Sequence, residues 1–260
     1  MLYQAYQFQD DLVAPMRFLA RNMRGAAMSA FWAAGDGFRG RVAAGLELVS
    51  RFQLTHSRPD FDIPSVRVGN RDVPVTEEVA LDLPFGQLLH FRKDVDTPQP
   101  RVLVVAPLSG HFATLLRGTC ETLLSDHDVY ITDWTNARDV PLSAGDFGVD
   151  DYVAYLIRFL EEIGPGAHIL AVCQPCVQAL AAVAVMSAEK HPATPRSMTL
   201  MAGPIDPRES PTEVNEFAVS KSLAWFKGSV ISRVPWRYKG GGRKVYPGFL
   251  QLTAFLAMNM

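Results

Sequence analysis

Cysteine is scarce and odd in number, three in 260 residues, which argues against a secreted disulfide framework and fits a reducing compartment. Charge of one sign is missing too. Twenty-five basic against 27 acidic residues leave a formal net charge of -2, so no nucleic acid partner is expected. No run approaches the roughly 20 apolar residues of a membrane span. Asp10 and Asp11 stand where a secretory signal would carry its apolar stretch, and these features together point to the cytoplasm. No histidine pair has metal-ligand spacing, and no metal or other cofactor is expected. What is present, 48% hydrophobic and 20% charged residues, suits one sizeable core or one core plus an appended segment.

Three stretches follow from the patterning. Residues 1–60 read as an arm of two amphipathic helices: Leu12, Met16, Leu19, Met23, Ala27, Ala30 and Phe31 recur at helical spacing, then Val42, Leu46, Val49 and Leu54. Such a stripe packs on its own domain or lies on an apolar surface, and the first use is the commoner. Residues 61–210 read as an α/β core. Strands are expected at 65–68, 73–83 and 88–91, then apolar strands at 102–105, 129–132, 168–172 and 198–202 with helices over 112–124, 149–163 and after 173. That alternation means a mostly parallel sheet covered on both faces. Residues 211–260, broken by Pro211, Pro235 and Pro247 and by Gly240, Gly241 and Gly242, read as an irregular apolar lid or cap segment.

The chemistry is expected where the strand at 168–172 breaks into Cys173, Gln174, Pro175 and Cys176. A sharp strand-to-helix turn holds one side chain off the sheet edge, and the helix N-terminus favours a thiolate there. Cys173 is the candidate nucleophile for acyl transfer through a covalent acyl-enzyme. The oxyanion would be met by the backbone N–H of Gln174 and by the loop carrying Ser109, Gly110 and His111 after the strand at 102–105. Ala171 and Pro175 replace the glycines that usually flank such a nucleophile. Cys173 to Cys176 also spells C-x-P-C, a possible thiol–disulfide redox pair, although such pairs usually sit near the start of a smaller domain. Cys120 reads as a core thiol. His56, His90, His127, His168 and His191 read as surface or turn residues, Asp133 as a loop-orienting or capping residue, and Asp206 as a triad-type acid or a turn.

Met1 to Gln4, the stretch from Ala106 to Arg117 (APLSGHFATLLR), Ile131 to Trp134, Val172 to Pro175 and Gly203 to Pro207 together resemble the intracellular poly(3-hydroxybutyrate) depolymerases. The resemblance implies an α/β-hydrolase fold, a cysteine nucleophile, and a polyester storage granule or its oligomers as partner in the cytoplasm. Polyhydroxyalkanoate synthase, an acyltransferase of similar fold, is the nearest enzymatic alternative, and its elbow carries glycines on both sides of the nucleophile. A non-catalytic granule-binding protein is another. In α/β-hydrolases the acid and histidine follow the nucleophile in the chain. Here only His191 follows Cys173, at the far end of the elbow helix, so the chain reads as an N-terminal portion cut before the last strands. The triad acid and histidine are expected beyond residue 260, with catalysis impaired and a tendency to aggregate.

Overall fold

The structure, a computed structural model, describes residues 2–30, 36–51, 57–108 and 112–257. Two helices come first, α1 (Leu2–Ala30) and α2 (Asp36–Arg51). Seven strands follow: β1 (Ser65–Val68), β2 (Arg71–Leu83), β3 (Gly86–Lys93), β4 (Arg101–Val105), β5 (Asp128–Trp134), β6 (His168–Val172) and β7 (Met198–Met201). They form one sheet in the order β1-β2-β3-β5-β4-β6-β7. The first three strands and the β3–β5 pair are antiparallel, whereas β5, β4, β6 and β7 run parallel. The sheet is therefore mixed, with an antiparallel half and a parallel half.

Strand alternation divides the core between the two faces. Leu103, Val105, Ile169 and Ala171 turn toward α4 (Val149–Ile163) and α5 (Cys176–Ala188), where Leu156, Phe159, Leu160, Ala179, Ala182 and Met186 are fully buried. Val102, Val104, Val129 and Ile131 turn the other way, onto Phe61, Leu116 and Cys120. The small residues of α5 let its axis lie close to the sheet, which fixes the start of that helix at the end of β6.

The helix expected over 112–124 divides into a 3-10 turn, Ala113–Leu116, and α3 (Arg117–Leu123). Arg117 marks the junction, its guanidinium donating to the carbonyls of Phe61 and Asp62 at 2.5 and 2.6 Å. The tail is more regular than its proline and glycine content suggested. It carries α6 (Glu213–Ser220), α7 (Leu223–Ser229), the two-residue pair β8 (Ser232–Arg233) and β9 (Lys244–Val245), and α8 (Gly248–Ala257). Thr212 and Ser222 accept from the backbone N–H groups of Asn215 and Trp225, so each short helix is started by a side-chain cap.

The α1 stripe faces water. Leu12, Met16, Leu19 and Met23 are exposed together with Phe8, and the inward side is occupied by Tyr3, Gln7, Arg17 and Ala20. The packing use of the stripe is thus not the one adopted by these four residues; the side chains of Ala27, Ala30 and Phe31, and residue Leu54, lie outside the described part. Polar and aromatic contacts hold the inward side. Tyr238 donates to Gln7 at 2.6 Å, Arg237 pairs with Asp11 at 2.7 Å, and Tyr6 stacks on Phe249 with 3.9 Å between centroids.

Candidate active site

At the end of β6 the backbone turns through a left-handed residue, Cys173, at φ +67°. A non-glycine residue pays steric strain in that region, and the surroundings must over-determine it to persist. They do. The Cys173 N–H donates to the Met201 carbonyl at 2.7 Å, tying the turn to the end of β7, and the Cys173 carbonyl accepts from Cys176 N–H at 3.2 Å, opening α5. Gly203 lies against the same turn. A Cβ there would overlap the Cys176 Cβ and Sγ and come within 2.9 Å of the Cys173 carbonyl oxygen, so only glycine fits.

The Cys173 side chain is exposed and free of any disulfide. Cys176 is its opposite: fully buried, its thiol aimed inward at the carbonyls of Ala171 (3.3 Å) and Met201 (3.6 Å). Burial pushes the Cys176 thiol up. Cys120 is a core thiol, pushed up to about 12 by burial.

The loop after β4 is anchored at its root. Ala106 is wholly buried; its N–H donates to Thr132 Oγ1 at 3.0 Å, and its carbonyl accepts from Trp134 Nε1 at 2.9 Å and Tyr152 Oη at 3.3 Å. Two residues on, the Leu108 N–H donates to the side-chain Oε1 of Gln174 at 2.9 Å. That contact joins the loop to the elbow, and the sequence does not signal it because it depends on β4 and β6 lying side by side. Ser109, Gly110 and His111 lie outside the described residues, which resume at Phe112. Among the described residues, no acceptor takes the Gln174 N–H.

Asp133, at the end of β5, orients a loop rather than capping one: it pairs with Arg58 at 2.7 Å. Its burial raises its pKa, against the opposing pull of Arg58. This pair lines a cleft of about 340 Å3 with Phe112, Trp134, Asn136 and Arg138. Asp206 is the turn residue of its two readings, since it accepts from the Arg208 backbone and guanidinium at 3.0 and 2.8 Å. The arginine holds that carboxyl below the usual carboxylate range.

Each described histidine is engaged away from the elbow. His191 meets Glu161 at 3.1 Å and accepts from Ala193 N–H at 3.2 Å, His168 meets Ser197 at 2.7 Å, and His127 meets Asp126 at 2.6 Å. His90 departs from the surface role expected of it. Its ring is held between Glu78 (2.9 Å) and Asp128 (2.7 Å) and stacks on Tyr130 at 4.2 Å. Such a clamp forms only once β2, β3 and β5 are paired, so nothing local in the sequence announces it. His56 lies outside the described residues. Among the described residues no group of three or more His, Cys, Asp or Glu side chains could hold a metal ion, and no helix is long and apolar enough to cross a membrane.

Residues 202–260 match the family model described as "PHB de-polymerase C-terminus". Over that stretch the chain is similar to the PHB depolymerases. The matched part starts at Ala202, beside the elbow, and includes Gly203 and helices α6 to α8. No curated protein matches the chain. Among solved structures, one described as a lipase (lip1) from Acinetobacter baumannii AYE is similar at 18% identity and TM-score 0.41, over 71% of this chain and 60% of that one. Naproxen esterase (carboxylesterase NP) from Bacillus subtilis is similar at 12% identity and TM-score 0.39, over 69% and 59%. Carboxylesterase CesB (YbfK) from Bacillus subtilis is similar at 10% identity and TM-score 0.35, over 70% and 60%. The chain thus spans about six tenths of the length of these structures.

Proposed function

We propose that this PHB depolymerase relative cleaves esters of 3-hydroxybutyrate through Cys173, by way of a covalent acyl-enzyme, in the cytoplasm at the surface of polyester storage granules. The observation that carries the reading is the exposed sulfur on a strained turn between β6 and α5, beside a loop that Gln174 ties to the same turn. The Cys173 thiolate attacks the ester carbonyl, a C–S bond forms, and the carbonyl oxygen takes up negative charge. The Gln174 N–H and the Ser109–Gly110–His111 loop are the proposed donors to that oxygen. Collapse of the tetrahedral species expels the alkoxide of the shortened polymer, which takes up a proton, and water then cleaves the thioester to release the acid.

The test uses p-nitrophenyl butyrate. Wild-type protein should release a burst of p-nitrophenol equal to the protein present, with a butyryl adduct located on Cys173 by peptide mass spectrometry. Cys173→Ala should lose the burst by ~10³-fold or more in rate. An undiminished burst in that variant would refute the cysteine scheme. Release of 3-hydroxybutyrate oligomers from amorphous polymer granules, in preference to hydrolysis of a triglyceride emulsion, then tests the substrate; consumption of hydroxybutyryl-CoA instead would favour the synthase-like alternative.

A further inference from the structure

Gln174 has a backbone and a side chain that face different tasks. Its N–H follows the nucleophile directly and, among the described residues, has no acceptor, while its Oε1 takes the Leu108 N–H at 2.9 Å. Between the buried root at Ala106 and this contact lies only Pro107, which has no N–H and a nearly fixed φ. The chain entering Ser109 is therefore pinned twice within three residues, once to β5 and α4 through Thr132, Trp134 and Tyr152, and once to the elbow through Gln174. The first pin fixes the loop against the sheet. The pairing of β4 with β6 brings the loop root beside the elbow, and the second pin is the hydrogen bond that ties the loop itself to the turn carrying Cys173.

We propose that the Gln174 side chain is a positioning residue: its amide oxygen sets the separation between the loop leading into Ser109 and the nucleophile, and so the width of the gap in which the substrate oxyanion forms. The proposal rests on the reading of Cys173 as nucleophile and extends it to a group that never touches substrate. Oxyanion stabilisation depends on donors standing ready at fixed positions before charge develops. A shift of about 1 Å in such a group costs on the order of 10²-fold in rate. Removing the clamp should accordingly slow acylation with little effect on how much ester is needed to saturate it.

Gln174→Ala and Gln174→Glu separate this role from simple packing. Gln174→Ala should lower the saturating burst rate with p-nitrophenyl butyrate by roughly 10- to 100-fold at an almost unchanged half-saturating concentration, and the Leu108 amide should exchange faster with deuterium. Gln174→Glu keeps an acceptor of the same reach, so the Leu108 amide should stay protected. Its burst rate relative to wild type should rise as pH falls through the range where the new carboxyl is neutralised, because a carboxylate beside the gap opposes the oxyanion. Equal burst rates in wild type and Gln174→Ala, or equal Leu108 exchange in the two, would overturn the proposal. If wild type itself gives no burst, the nucleophile reading fails, and the exchange comparison still decides whether the clamp exists.

Discussion

At the ends where the parallel strands begin, charged side chains are used to close the fold. Arg101, at the start of β4, donates to the carbonyl of Ile163, the last residue of α4, and to that of Pro165 just beyond it; Lys93, at the end of antiparallel β3, donates to Leu124 O beyond α3; and His90 is shared by Glu78 and Asp128. Arg101 and Lys93 sit where carbonyls at the ends of α4 and α3 are left without partners inside the helix, so they satisfy groups the helices cannot satisfy themselves, whereas His90 joins two strands through their carboxylates. At the ends where the same strands finish, Arg58 pairs with Asp133 as well, but the backbone is used differently. Cys173 and Ala202 both occupy the left-handed region, at φ +67° and +52°, and the elbow sulfur is exposed. Left-handed backbone stands at the finishing ends of β6 and β7 and carbonyl-binding cations stand at the starting ends, although Lys190, after α5, is left-handed too; strain beside the elbow is what a site held ready for chemistry is expected to carry.

The sharpest way to break this comparison is Gly203→Ala. The added methyl meets backbone and the first turn of α5 rather than a flexible side chain, and a loss of about 3 kcal/mol in urea unfolding is expected, with acylation impaired in the folded fraction. Part of that loss should return in the Gly203→Ala, Cys176→Gly double variant, which removes the obstructing Cβ and Sγ. Unchanged stability in Gly203→Ala would mean that the elbow has room to move. At the other end, Arg101→Met should cost about 2 kcal/mol by leaving two carbonyls unpaired, while the burst rate per folded molecule stays at the wild-type value. A slowed burst there would erase the distinction between the two ends.

The smallest effect is the pH dependence contributed by His90. Burial works to lower its pKa, but the hydrogen bonds and charges of Asp128 and Glu78 outweigh that and leave it raised. A raised folded value stabilises the protein fully below the unfolded pKa of about 6.5 and is lost as pH rises through the folded value. Urea unfolding of wild type compared with His90→Gln from pH 5.5 to 9 should show the gap closing with rising pH. A gap that widens instead would contradict the clamp.

Much of the framework was legible because it depends on local pattern. The bounds 65–68, 149–163 and 168–172 coincide with β1, α4 and β6, where apolar periodicity and flanking glycines agree. Strands β2, β3 and β5 extend past their apolar runs to Arg71, Lys93 and Trp134, because backbone pairing with a neighbour continues where hydrophobicity stops. The position of Cys173 could be read from a strand meeting a helix. The reach of the Gln174 side chain to Leu108 could not, since it depends on β4 and β6 lying side by side, 66 residues apart in sequence at the contact. The same holds for Arg243, buried in the tail, whose guanidinium gathers the carbonyls of Val140, Pro141 and Gly145 at sequence separations of 98 to 103.

The positive φ at residue 173 sets sulfur against folding. Glycine would adopt that bend without steric cost, relaxing the turn by about 1 kcal/mol at the expense of the nucleophile. A lineage of such chains freed from the need to cut esters would gain by exchanging this cysteine for glycine, so retention of a side chain at this left-handed position would mark molecules still under selection for what that side chain does.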